Sequence, residues 1–504
     1  MPMAEKERAG MEGFALPSSL RSEEYQTGAF YLGNLHPEHG ASFPIGIHDD
    51  RHIFIDAGSR AGKGTTLIIN NLIRWPHGVF CIDPKGENAS ITAMRRASAE
   101  AARNTATSVT DHVGQDVVVL DPLGCVRGPA RALKVNYDPL SDINPQSKEA
   151  AGQILAVAES VVIDDSGSGA HFTDSAAIIL AGAIECVLET EQPRNRTLAR
   201  VRDFILEGFG GYDEDGELIP EGLMYRLKSV KTKVALAQEA FSLLDDVGEE
   251  ERGSFRSTLS RQLRWMSDER MLSHLSNDGF SLREVIRSGG SVYVCIPPLF
   301  IPRMKRWLRT IVRVALDTKM EAGTSNSREQ TLFMLDEFPA LGHFQLIEDA
   351  AGYMAGYGIK LVAVIQNIGQ VQKHYEKNWE TFIGNAGAFI TWGLNDHETE
   401  KYVADRMGQR RSMEQSASIS KSPWLFLPRG RSVNRALQDR PIRWPNQIRA
   451  EGSREQMRAF VIPAKGKPFT VQRINYWNDK FNLGKYDSEA FIDEWEARYA
   501  NQIG

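Results

Sequence analysis

Cysteine is scarce in this sequence. Cys81, Cys125, Cys186 and Cys295 form no CxxC pair and have no histidine partner at metal-ligand spacing, so neither a disulfide nor a zinc framework is supported and a reducing, cytoplasmic setting is expected. Long apolar runs are missing too: the longest, Ala176 to Leu188, is interrupted by Glu185 and falls short of the ~20 residues a membrane-spanning helix needs. The opening stretch MPMAEKERAGMEGF lacks the apolar centre of a secretory signal. No internal repeat is found, and no large excess of one charge. The 65 acidic and 59 basic side chains leave a net charge of -6, which argues against a protein that coats nucleic acid over its whole surface but leaves room for a locally basic channel. What is present is ordinary for a soluble globular chain: 504 residues, 42% hydrophobic and 25% charged, enough for about two or three domains.

Strand-like and helix-like segments alternate at both ends of the chain. HIFIDA (His52 to Ala57), GVFCID (Gly78 to Asp83) and DVVVLDP (Asp116 to Pro122) read as buried strands, with a Gly-rich turn and the helix-like LIINNLIRW after the first. Between about Gln146 and Leu282 the periodicity becomes helical, as in AAGQILAVAESVV and FTDSAAIILAGAIECVL. Strand signals return in SVYVCIPP, TLFMLDEF, IKLVAVIQ and GAFITWG. This pattern predicts an α/β fold with a mostly parallel sheet interrupted by an inserted all-α domain. The expected divisions are a mobile leader (1–28), a first part of the α/β core (29–145), the all-α insert (146–285), a second part of the core (286–408), a basic exposed loop (409–439) and a C-terminal completion of the core (440–504). The loop assignment follows from Arg410, Arg411, Lys421, Arg429, Arg431 and Arg435 facing the single acid Glu414 before Asp439.

Chemistry concentrates in two segments. AGSRAGKGT, Ala57 to Thr65, lies between a predicted strand and a predicted helix, where a phosphate-binding loop belongs. Gly58, Ser59, Arg60, Ala61 and Gly62 are small or turn-forming enough to let backbone amides wrap phosphates, Lys63 brings a compact positive charge, and Gly64 and Thr65 open the helix. Ala57 stands where the general pattern has Gly, and Gly64 where it has Ser or Thr, leaving Thr65 as the nearest hydroxyl for Mg2+. TLFMLDEF ends a buried strand in adjacent acids: Asp336 is expected to hold the magnesium and Glu337 to orient and polarise the water attacking the terminal phosphate of ATP. Gln366 closes the next strand, from which its amide can sense that phosphate. Asp83 in DPKGE could face the nucleotide or belong to a polar turn. Lys228, Lys231 and Lys233, and Arg303, Lys305, Arg306 and Arg309 beside Trp307, could contact a nucleic acid, although solvated helix faces and a buried Trp are the ordinary readings.

With SRAGKGT, DPKGE, NYDPLSDI (Asn136 to Ile143), LDEFPALG (Leu335 to Gly342), AGYGIKLVAVIQNIGQV (Ala355 to Val371), NAG and NDHETEKYVADRMG (Asn385 to Gly408) and RPIRWPNQIR (Arg440 to Arg449) in that order, the chain resembles the coupling-protein ATPases of type IV secretion and conjugation, the TraG/TraD-like family, over most of residues 30–480. The resemblance implies a RecA-like nucleotide-binding core with an all-α domain, ATP and Mg2+ as cofactors, and a homohexamer with ATP at subunit boundaries. It also implies a motor that brings DNA, single- or double-stranded and often relaxase-bound, or effector proteins to a secretion channel. Matched residue by residue, Lys63 and its loop take the nucleotide-binding motif, Asp336 and Glu337 the acidic pair, and Gln366 the following glutamine. Most of that family begins with transmembrane helices, whereas Lys63 is reached here with none before it. The expectation is therefore a cytoplasmic protein recruited to the inner face of the membrane by a channel component or adaptor, with a DNA pump outside secretion and a receptor for protein effectors as alternatives. Arg406, Arg410 and Arg411 are candidates for an arginine acting on a neighbouring subunit's nucleotide, although a solvated helix end is the ordinary reading.

Overall fold

Short, uninterrupted apolar runs become the strands. In a computed structural model describing residues 13–163, 170–232, 234–323, 330–350, 352–421 and 428–499, these are β1 (Phe30–Leu35), β2 (Pro44–Ile47), β3 (Ile53–Ala57), β4 (Val79–Asp83), β5 (Val117–Leu120), β6 (Ser291–Cys295), β7 (Thr331–Leu335), β8 (Ile359–Ile365), β9 (Ala388–Trp392), β10 (Gln409–Lys421), β11 (Pro428–Pro441), β12 (Arg458–Pro463) and β13 (Phe469–Gln472). Every residue of β3 to β9 is buried. Continuous burial is what a parallel sheet covered on both faces requires, and it explains why these strands read as unbroken apolar runs.

The chain divides into two units, residues 1–74 with 362–479 and residues 75–361 with 480–504. In the first, β3 lies between β8 and β9 in parallel pairing, Ile55 opposite Val364 on one side and Ile390 on the other. β12, β13, β1 and β2 then extend the sheet antiparallel beyond β9. In the second unit β4 is flanked in parallel by β6 and β7, and β5 pairs with β6.

The helical run of the second unit follows the predicted insert. The apolar stretch around Leu180 sits inside the helix Ala170–Thr190, with Ile179, Leu180, Ala183, Ile184, Val187 and Leu188 fully buried. That helix packs on Ala235–Asp245, and Ala150–Val161 packs on the long helix Ile301–Glu321. A helix apolar on nearly all sides is a core helix of a large domain. Among the described residues no helix is long and apolar enough to cross a membrane.

NYDPLSDI lies where the strands hand over to these helices. Fully buried Asp138 accepts the Leu140 N–H at 2.9 Å and the Leu198 N–H at 2.8 Å, tying the segment to the first residue of the helix Leu198–Glu207. Tyr137 and Ser281 both donate to Asp142. Burial pushes the Asp138 carboxyl from an ordinary 3.8 up to about 7, against the pull of the two amides. A raised folded-state value means the native protein holds a proton that the unfolded chain releases, so stability is lost as pH rises through that window and is flat above it. The slope is expected to carry up to about 4 kcal/mol. Denaturation midpoints at pH 5 and pH 8 should differ less in Asp138→Asn than in the wild type.

Two expectations are corrected by the fold. Within the supposed leader, Phe14 is buried under the Arg443 guanidinium, the Ala15 N–H bonds the Pro468 carbonyl at 2.9 Å, and Pro17–Glu23 forms a 3-10 helix around buried Leu20. Partners so distant in sequence leave no local periodicity to read; residues 1–12 lie outside the described residues. The supposed basic loop is instead an antiparallel ribbon of β10 and β11, with Arg410 opposite Arg440, Arg411 opposite Asp439 and Lys421 opposite Pro428. Its sequence lacks the apolar alternation of a half-buried strand, so the pairing is invisible locally.

Candidate nucleotide site

β3, central among the first unit's parallel strands, runs into the candidate phosphate-binding loop of residues 58–65. After Ala57 the backbone turns at Gly58, where a side-chain carbon would lie 1.9 Å from the Gly393 carbonyl oxygen, so only glycine fits. Arg60 and Gly62 take left-handed conformations, φ 59° and 82°, and the helical segment Gly64–Ile68 begins one residue past Lys63. Two buried side chains lock the turn. Ala61's carbonyl accepts the Trp392 Nε1–H at 3.0 Å and the Arg473 Nη1–H at 2.9 Å, and the Arg473 guanidinium lies 5.0 Å from the Trp392 ring. Burial pulls Arg473 down to about 10, still cationic at neutral pH. The Thr66 hydroxyl donates to the Gly62 carbonyl at 2.7 Å.

The anchored turn leaves its donors unspent. The amides of Gly62, Lys63, Gly64 and Thr65 donate to no backbone carbonyl among the described residues, and the half-buried Lys63 ammonium makes no hydrogen bond or ion pair among them. A ring of free amides at a helix start beside an unmatched lysine is suited to phosphate oxygens, and these residues fit a nucleotide's polyphosphate. Thr65 is half-buried, with its hydroxyl only loosely turned back on Gly62 at 3.3 Å, which leaves it able to ligate a cation. A side-chain carbon at Gly64 would meet no atom within 4 Å, so space does not impose the glycine there. Ile365 of β8 is in register with Asp56, so Gln366 stands level with Ala57, its N–H held by Gln370 Oε1 at 3.0 Å.

Asp336 and Glu337 belong to the second unit, half-buried immediately after β7. On neighbouring β4, Asp83 ends the strand. Burial pushes its carboxyl up to about 7 and the charge of Asp336 adds to this, while the Ala89 N–H at 2.8 Å opposes it. Asp83 thus serves its own turn into the helix Glu87–Arg96, the structural side of the two readings of DPKGE. The basic clusters divide. Lys231 lies over Phe241, Arg309 is buried against Phe344 with Nη1 donating to Leu341 O, and Trp307 is fully buried; Lys233 lies outside the described residues. Arg406 bonds Tyr402 and the Ile383 carbonyl, and exposed Arg411 lies 3.9 Å from Asp439.

Matching against known families decides the kinship. The family described as type IV secretory system conjugative DNA transfer matches residues 16–498. The chain belongs to this family. Among its relatives, the conjugal transfer protein TraG of Escherichia coli is 24% identical over 466 residues, 87% of this chain and 69% of TraG, and protein VirD4 of Rhizobium rhizogenes is 24% identical over 441 residues, 85% of this chain and 59% of VirD4. The conjugative coupling protein TrwBdeltaN70 has the same fold, with a TM-score of 0.63 at 13% identity over 92% of both chains. TrwB has also been solved with the non-hydrolysable ATP analogue ADPNP, at a TM-score of 0.62, 12% identity and coverage of 92% of this chain and 93% of TrwB, and with ADP and Mg2+. Within this family member, Arg473 and Trp392 were missed by sequence reasoning: Trp392 read only as part of a strand, and Arg473 is a lone arginine after β13 with no motif around it.

Proposed function

We propose that this protein is an ATP-hydrolysing motor of the coupling-protein kind, which recruits DNA and drives it to a type IV secretion channel. The observation that carries this reading is the anchored loop that leaves Lys63 and four successive amides unmatched, in a chain of the conjugative DNA transfer family. Bound ATP supplies a phosphoanhydride whose hydrolysis releases the energy for movement. The loop from Gly58 to Thr65 counters the phosphate charge through Lys63 and the amides of Gly62 to Thr65; Thr65 and Asp336 hold Mg2+; Glu337 takes the proton of the attacking water; Gln366 passes the change in phosphate state along β8. A homohexamer acting on relaxase-bound DNA, cytoplasmic and recruited to the membrane by a channel component or adaptor, is the assembly in which we place it.

The test is the ATPase rate of the purified protein alone, with single-stranded DNA and with duplex DNA, using Lys63→Ala as background. DNA is expected to raise the rate several-fold and Lys63→Ala to remove it, because the phosphate charge then goes unanswered. Full turnover by Lys63→Ala would overturn the site assignment. Turnover indifferent to DNA but raised by a secreted protein would favour delivery of protein effectors.

A further inference from the structure

The end of β3 carries a buried carboxyl that the chemistry above leaves unused. Asp56 is 0% exposed, and neither of its oxygens meets a donor among the described residues. Its register partner across the parallel pairing to β9 is Thr391, and in-register residues of neighbouring strands share a face. Thr391 is also 0% exposed, and its hydroxyl likewise has no partner among the described residues. Buried polar atoms are almost always hydrogen-bonded, so two orphans side by side ask for an explanation. They lie at the carboxyl ends of parallel strands, where ligands gather in such sheets, one residue from the start of the phosphate loop.

Two charged groups act on Asp56: Lys63 from the loop and Asp396 from the start of the helix His397–Met407. Asp396 is committed to capping that helix, accepting the Thr399 N–H at 2.8 Å. An ionised Asp56 would be a ready counter-ion for Lys63 and would cancel the charge the phosphates need. Burial first, and the negative charge of Asp396 second, hold the carboxyl well above the usual carboxylate range.

We propose that Asp56 is a positioning residue of the phosphate loop: fully buried and unpaired among the described residues at the end of β3, level with the equally buried Thr391 of β9, it supports the turn behind Lys63 without neutralising it, so that the ammonium stays available to a polyphosphate. The inference rests on the nucleotide reading and adds a residue to it.

Infrared difference spectroscopy between wild type and Asp56→Asn at neutral pH, with calorimetric titration of ADP into both, tests it. The wild type should show the carbonyl band of a protonated carboxylic acid that Asp56→Asn lacks. Asp56→Asn, neutral and of the same shape, should bind ADP within about threefold of wild type from about pH 6 to pH 8, whereas Asp56→Leu should bind about tenfold more weakly. Should Asp56→Leu fail to fold, the smaller Asp56→Ala takes its place, with a loss of about threefold or more expected. A missing acid band, or a tenfold loss in Asp56→Asn, overturns this inference while wild-type binding of ADP leaves the nucleotide reading standing. A wild type that binds no ADP overturns both.

Discussion

Replacing Glu337 with glutamine is expected to lower ATP turnover by about two to four orders of magnitude, the usual span for losing a positioned general base, while nucleotide affinity stays within about threefold. Glutamine keeps the length and shape of the side chain and the hydrogen bond that orients a water, but it cannot take up a proton. Affinity should survive because the groups assigned to the phosphates, Lys63 and the amides of Gly62 to Thr65, lie on the loop after β3 and are unchanged. Single-turnover hydrolysis alongside nucleotide titration separates the two effects. Lost affinity with unchanged turnover per bound nucleotide would reassign Glu337 from the chemistry to binding.

Arg473→Ala is expected to weaken nucleotide binding by about tenfold or more and to destabilise the protein by on the order of 3 kcal/mol. The guanidinium is only 2% exposed and donates to the Ala61 carbonyl at 2.9 Å while lying over Trp392. Truncation removes a charge-assisted hydrogen bond and a cation–π contact and leaves a cavity beneath the turn that presents Lys63. Arg473→Lys should recover part of the stability and little of the affinity, because an ammonium cannot hold the planar contact with Trp392 while reaching Ala61. Denaturation curves and ADP titration on the same preparations check both effects. Affinity unchanged in a destabilised Arg473→Ala would show that the loop keeps its shape without this anchor.

What could be read in advance follows a physical divide. Strands buried on both faces must be apolar throughout, so β3 to β9 announce themselves as short unbroken runs, and the loop at Gly58 to Thr65 is legible because a phosphate cradle needs small residues and a lysine at one spacing. Asp336 and Glu337 stand out because adjacent carboxylates at the end of a core strand are costly without use. Segments held by distant partners gave no such sign. Phe14 and Ala15 are settled by Arg443 and Pro468, and β10 and β11 pair along sequences without apolar alternation. NYDPLSDI is visible as a motif, yet only Asp138 bonding the Leu198 amide shows that it fastens the helical domain.

The sequence by itself determined the α/β class, the helical insertion and the glycine-rich make-up of the loop from Gly58 to Thr65, since each depends on local period or spacing. The tertiary structure alone decided which side chains hold that loop in shape. Arg473, just after β13, and Trp392 of β9 meet at the Ala61 carbonyl from places far apart in the chain, and Asp56 lies level with Thr391 only because β3 and β9 pair in one register. Contacts closed over hundreds of residues leave no periodic trace, because they are selected by how the strands stack and not by what stands next to them in sequence.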